Sequence, residues 1–165
     1  MALKIGEPDA RVRVAGYAQE TQELARRAGA AAFHPFRPVA VAEIKQRVLE
    51  AFDAAQRAGD LRGKVHFSGT ADDLVPEDLV DDLLTVVRET LGHAQRRRAT
   101  HVVLAVRVGA DELTLDLVDD GTGPPPHAGK IAAVRRLAVR HGGDVEVSQG
   151  TRRGSYLRWT AGIGS

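Results

Sequence analysis

Val118-Asp119-Asp120-Gly121-Thr122-Gly123-Pro124-Pro125 follows an alternating run, Glu112 to Leu117. The alternation predicts a strand, and the paired aspartates stand where it ends. An acidic side chain at a strand end, followed by glycines at every second position, lets backbone come close to a planar, phosphate-bearing ligand. Asp-Asp-Gly is also an ordinary turn signal between strands, so the stretch alone leaves both a nucleotide pocket and a plain turn open.

Working outward, His101 to Val108 alternates as a second strand and joins Glu112 to Val118 through Gly109-Ala110-Asp111, which reads as a hairpin. Beyond the prolines, Ile131 to His141 has Ile131, Val134, Leu137 and Ala138 at core spacing and closes on Gly142-Gly143, a helix stop. Asp144 to Gln149 and Gly154 to Thr160 form another hairpin, which carries the single Trp, Trp159, as a packing residue.

On the N-terminal side, Pro76 to about Arg98 is the strongest helix in the sequence. Proline needs no donor partner in the first turn, and Glu77 and Asp78 suit a helix start electrostatically. Leu79, Val80, Leu83, Leu84, Val86, Val87, Leu91 and Ala94 form its apolar face; Thr85, Glu89, Gly92, His93 and Arg96 fall opposite. Glu89 and His93 lie one turn apart, so a carboxylate and an imidazole project together. Gly92 is a poor helix former and implies a close approach to the backbone there. Upstream, Lys64 to Ser68 reads as a short strand, Ala40 to Ala58 as a helix stopped by Gly59, and Ala10 to Ala32 as a helix ended by Phe33-His34-Pro35-Phe36-Arg37-Pro38. The order of elements predicts an α+β, two-layer α/β sandwich, with a mixed, mostly antiparallel sheet covered by helices on one face and further helices at the N-terminus.

Composition narrows the function. The chain has 165 residues, 43% of them hydrophobic, enough for one core with a helical appendage. With 23 basic and 22 acidic residues the formal charge is +1, which provides no footprint for nucleic acid; Arg96-Arg97-Arg98 and Arg152-Arg153 read as solvated faces or ion-pair partners. The absence of cysteine excludes disulfides and thiolate metal sites and fits a cytoplasmic setting. No run approaches the roughly 20 apolar residues of a membrane span, so no membrane segment is expected.

Arg88-Glu89-Thr90-Leu91-Gly92-His93-Ala94, then Asp119-Asp120-Gly121-Thr122-Gly123, a helix ending His141-Gly142-Gly143, and Gly154-Ser155-Tyr156-Leu157-Arg158-Trp159 occur in that order. Together they resemble the motifs of the ATP-binding catalytic domain of sensor histidine kinases, within the GHKL superfamily and its Bergerat fold. The similarity is greatest to the subgroup of NarL-responding and mycobacterial heme-sensor kinases. It covers about Val65 to Ile163. Residues 61–165 would then be the ATP-binding domain and 37–60 a linker helix, while 1–36 resembles the second helix of a dimerisation domain.

The resemblance implies roles position by position. Glu89 falls where a carboxylate polarises the attacking group or orients a metal-bound water. His93 stands where the family has an asparagine that ligates Mg²⁺, and imidazole is a poor substitute for a hard oxygen donor. Asp119 matches the acceptor for the adenine amino group, with Gly121 and Gly123 letting the base lie close. Gly154 and Ser155 match a late Gly-Thr pair beside the adenine. The second glycine motif is reduced to Ala128-Gly129-Lys130-Ile131, in which Gly129 survives and Lys130 can meet a phosphate as a point charge. Pro124 to Ala128 is all that spans the lid over the triphosphate.

Of the six histidines, His34, His66, His93, His101, His127 and His141, none is followed by an acidic residue as the family's phosphorylated histidine usually is. The implied function is therefore the ATP-binding portion of a two-component sensor kinase, transferring phosphoryl from ATP to a histidine outside this chain. ATP or ADP and Mg²⁺ are the implied ligands, a response regulator the implied partner, and a homodimer through the N-terminal helix a further one. The competing reading is a degenerate, non-catalytic module of the same fold that serves as a dimerisation or interaction surface. A third is a serine kinase of the anti-sigma-factor type, against which the upstream helices argue.

Overall fold

The structure is a computed structural model and describes residues 37–150 and 153–164. The helix expected over Ala10 to Ala32, with its Tyr17, Leu24 and Phe33 face, lies outside the described residues, as does His34. From Ala40 onward the described residues belong to one compact unit.

A short strand β1 (Pro38–Ala40) precedes helix α1 (Val41–Ala58), followed by β2 (Arg62–Ser68), β3 (Leu74–Pro76), helix α2 (Glu77–Arg96), β4 (His101–Val108), β5 (Glu112–Asp119), helix α3 (Ala132–Arg140), β6 (Val145–Gln149) and β7 (Ser155–Gly162). The main sheet is five-stranded in the order β2-β4-β5-β7-β6. β2 runs parallel to β4; every other neighbour is antiparallel. The parallel pair needs a crossover, and α2 lies within it.

Alternation along the strands builds the core in layers. Leu104 pairs with Leu117 and Leu117 with Leu157; Val106 pairs with Leu115 and Leu115 with Trp159; Val108 pairs with Leu113 and Leu113 with Ala161. All nine side chains are buried, and the helices cover this face with Leu79, Val80, Leu83, Val86, Val87 and Leu91 of α2 and Val134 and Ala138 of α3. Trp159 is fully buried and donates its indole N–H to the Val134 carbonyl at 3.1 Å, tying β7 to α3. The other face is open: Val103 and Val118 are 41% and 44% exposed.

The expected linker helix packs directly on the domain. Ile44, Val48 and Phe52 of α1 are buried, and Gln95 of α2 donates to the Ala55 carbonyl at 2.9 Å. Between α2 and α3, His141 Nε2 meets Asp82 Oδ2 at 2.7 Å, with Arg140 Nη1 at 3.4 Å from the same oxygen. Asp82 lies on the apolar side of α2 and is buried because that ion-pair cluster gives its carboxylate partners. Among the described residues no helix is long and apolar enough to cross a membrane.

Candidate functional site

One end of the layered core is polar. Val102, Asp119 and Ser155 are register partners there, one step beyond the Leu104-Leu117-Leu157 layer. Strand alternation thus turns Asp119 inward, and its side chain is only 3% exposed. The Gly121 amide donates to Oδ1 at 2.7 Å and the Ser155 hydroxyl to Oδ2 at 2.7 Å. Asp120, one residue on, does different work. Burial would raise its pKa, but the His101 amide and the Thr100 hydroxyl and amide hold its carboxyl well below the usual range. Its oxygens accept from Thr100 N at 2.8 Å, Thr100 Oγ1 at 2.8 Å and His101 N at 2.9 Å, pinning the loop to the start of β4.

Gly154 explains its own identity. Its φ is +88°, and a Cβ there would lie 1.8 Å from the Asp119 carbonyl oxygen. Only glycine lets β7 begin so close to the end of β5, which is what brings Ser155 to Asp119. Gly123 also has a positive φ, +82°, and its carbonyl turns toward the helix.

A residue that the sequence analysis left among solvated or ion-paired arginines completes the site. Arg97, just past the end of α2, sends Nη1 to Asp119 Oδ1 and Oδ2 at 2.9 and 3.1 Å and to Ser155 Oγ at 3.0 Å. Its Nη2 donates to the Gly123 carbonyl at 3.1 Å and its Nε to the Pro124 carbonyl at 3.2 Å. Thr122 closes the same clasp, donating from N and Oγ1 to the Arg97 carbonyl at 2.7 and 3.1 Å. The signal available in the sequence was spacing: Arg97 follows His93 by four residues, one helical turn, on the face already assigned to the site.

Of the remaining candidates, Glu89 and Lys130 act electrostatically on His93. Glu89 is exposed on α2. His93 is half-buried, with Nδ1 2.9 Å from Arg96 Nη2 and Nε2 buried without a hydrogen-bond partner among the described residues. Burial, then the Arg96 charge, lower its pKa, while Glu89 opposes them. Gly129 and Lys130 are exposed in a turn built by His127, whose Nδ1 accepts from the Gly129 amide and whose carbonyl accepts from Lys130 N. At Gly92 a Cβ would meet the Arg96 guanidinium at 3.4 Å, an ordinary contact, so among the described residues no packing requires glycine there. A concave surface at the α1–β2 turn, lined by Asp53, Gln56, Arg57, Gly59, Asp60, Leu61 and Arg62, contains none of the candidate residues.

These donors do not fit Mg²⁺. The ion takes hard oxygens in near-octahedral geometry, whereas His93 offers nitrogen and is flanked by the cation of Arg96. Lys130 also bears on His93 as a positive charge. Among the described residues no three His, Asp or Glu side chains converge as a metal site.

Comparison with solved structures places this architecture. The ATP-binding domain of PrrB from Mycobacterium tuberculosis is 22% identical, covers 79% of this chain and 98% of its own, and superposes with a TM-score of 0.58. The mycobacterial sensor histidine kinase MprB is 17% identical over 77% of this chain and 98% of its own, at a TM-score of 0.57. A histidine kinase from Burkholderia phymatum STM815 is 16% identical over 94% of this chain and 80% of its own, at 0.62. No protein-family model and no curated protein matches the sequence. The chain has the fold seen in histidine-kinase ATP-binding catalytic domains.

Proposed function

We propose that this chain binds an adenine nucleotide, with Asp119 as the acceptor for the base amino group, and acts as the ATP-binding portion of a two-component sensor kinase. The observation that carries this reading is the buried carboxylate of Asp119, braced by the Gly121 amide and the Ser155 hydroxyl at the edge of the apolar core. A buried anionic acceptor beside a glycine-lined loop recognises a planar base that presents an N–H donor. Any phosphoryl group would pass to a histidine outside this chain, and a response regulator would receive it.

A second reading is favoured by the surroundings of His93. Arg96 and Lys130 put positive charge where a nucleotide-bound cation would have to sit, and Glu89 is the acidic side chain acting on His93. Such a site can hold phosphates by direct cation contact, but it lacks the metal-centred alignment used in phosphoryl transfer. In that reading the module binds nucleotide, or keeps the fold as an interaction surface, without transferring phosphate.

Isothermal titration with ATP and ADP, with and without Mg²⁺, tests the proposal. Saturable binding that weakens about 10-fold or more in Asp119→Asn is the expected result. No heat and no thermal shift at millimolar nucleotide would overturn it.

A further inference from the structure

The acceptor capacity of Asp119 is already spent within the chain. An ionised carboxylate has about four acceptor positions, two on each oxygen. Oδ1 accepts from the Gly121 amide and Arg97 Nη1, and Oδ2 accepts from the Ser155 hydroxyl and the same Nη1. A base amino group at Asp119 therefore competes with three donor groups already in place. The Gly121 amide is fixed by the backbone, and Ser155 is set by its register with Asp119. Arg97 is the donor on a long side chain, and it is the one that can leave.

A second observation places the Arg97 side chain between the acceptor and its loop. The loop is packed against the end of α2: a Cβ built at Gly121 would meet Arg97 Cβ and Asp119 Oδ1 at 2.9 Å and the Arg97 carbonyl oxygen at 3.1 Å, so the protein's own packing requires glycine there. The Arg97 side chain is 13% exposed, and its remaining donors hold the loop down through the Gly123 and Pro124 carbonyls. One side chain thus neutralises the acceptor and closes the loop over it.

We propose that Arg97 is an internal occupant of the base site, so that an adenine ligand binds only to the minor population in which the guanidinium has left Asp119. This rests on the nucleotide reading above and adds to it a built-in competitor. The apparent affinity is lowered by the fraction of molecules that are open. With that fraction at about 1–10%, removal of Arg97 tightens binding about 10- to 100-fold.

The test is titration of the whole chain, wild type and Arg97→Ala, with adenosine, which carries no phosphate for an arginine to attract. ADP is titrated into the wild type in parallel, and circular dichroism establishes that each variant is folded. If Arg97→Ala is not folded, Arg97→Gln takes its place, since it removes the ion pair but leaves the site a neutral donor. The expected result is ADP binding to the wild type, and a gain for adenosine in the folded variant of about 10-fold or more. ADP binding to the wild type with unchanged or weaker adenosine binding in the variant would overturn the internal occupant and leave the nucleotide reading standing. If the wild type does not bind ADP and neither protein binds adenosine, both fail together.

Discussion

The Arg97–Asp119 pair makes the sharpest energetic prediction, because both partners are largely out of water yet neither is wholly enclosed. Asp119→Ala removes the carboxylate and leaves the Gly121 amide, the Ser155 hydroxyl and Arg97 Nη1 without their common acceptor. Breaking a buried pair by deleting one partner costs about 3–5 kcal/mol. Arg97 keeps the Gly123 and Pro124 carbonyls and is 13% exposed, which moves the expected cost to the lower end of that range. Arg97→Ala leaves Asp119 with two neutral donors and should cost about 1–3 kcal/mol. In the double variant neither charge is stranded, so the separate costs should not add, and a coupling of about 2 kcal/mol is expected. An exposed ion pair would give about 0.2–1 kcal/mol. Urea unfolding followed by the fluorescence of Trp159, buried in the core, supplies all four corners of the cycle. A coupling below about 0.5 kcal/mol would mean that the two side chains do not act as a closed pair, and would refute the reasoning.

Other outcomes follow from the same geometry. Gly154→Ala should destabilise by about 3 kcal/mol or more, since it combines a positive φ with overlap onto the Asp119 carbonyl; it is checked by the same unfolding assay. Asp116 on the open sheet face accepts from Arg107 Nη2 at 2.6 Å, Tyr156 Oη at 2.7 Å and Arg158 Nε at 2.7 Å. Burial would raise its pKa, but the Arg158, Tyr156 and Arg107 hydrogen bonds hold it below the ordinary value. A depressed carboxylate stabilises the fold above its unfolded pKa, here 3.8, and loses that contribution as pH falls through the lower native value. Asp116→Asn should therefore lower Tm by a few degrees at neutral pH, with the gap to wild type narrowing in acid. Because the residues about His93 do not fit Mg²⁺, removal of divalent cation with EDTA should change ADP affinity by less than about 2-fold, as read by calorimetry.

The layers of the fold were legible because strand alternation is a local property. Glu112 to Val118, His101 to Val108 and the α2 face from Leu79 to Ala94 each declare their period within a few residues, and the structure places them as expected. Less visible was the parallel pairing of β2 with β4, which depends on a crossover through α2 rather than on a turn. Asp82 was also hidden: a carboxylate among apolar helix positions is buried only because His141 and Arg140, distant in sequence, come to meet it.

The site divides along the same line. Asp119, Gly121 and Gly123 stood out as a strand end followed by a glycine turn, whereas Gly154 and Ser155 joined them only through the family resemblance. Arg97 could not be assigned this way, since an arginine in a basic run at a helix end is usually solvated, and its burial follows from the loop that folds back across it. Thr122 fastens that loop to the Arg97 carbonyl, a contact between residues whose sequence context contains no shared pattern.

The most direct measurement of the central claim is a metal-free ADP titration of the isotope-labelled chain, followed through the Gly121 amide and the Arg97 Nε–H in nitrogen–proton correlation spectra. Both groups meet at Asp119 or over its loop, one fixed and one able to leave. Binding at this site predicts saturable shifts of both resonances with a common dissociation constant, and loss of protection at Arg97 Nε as it departs the Pro124 carbonyl. Resonances that stay in place at millimolar ADP, in a folded protein, would contradict the account.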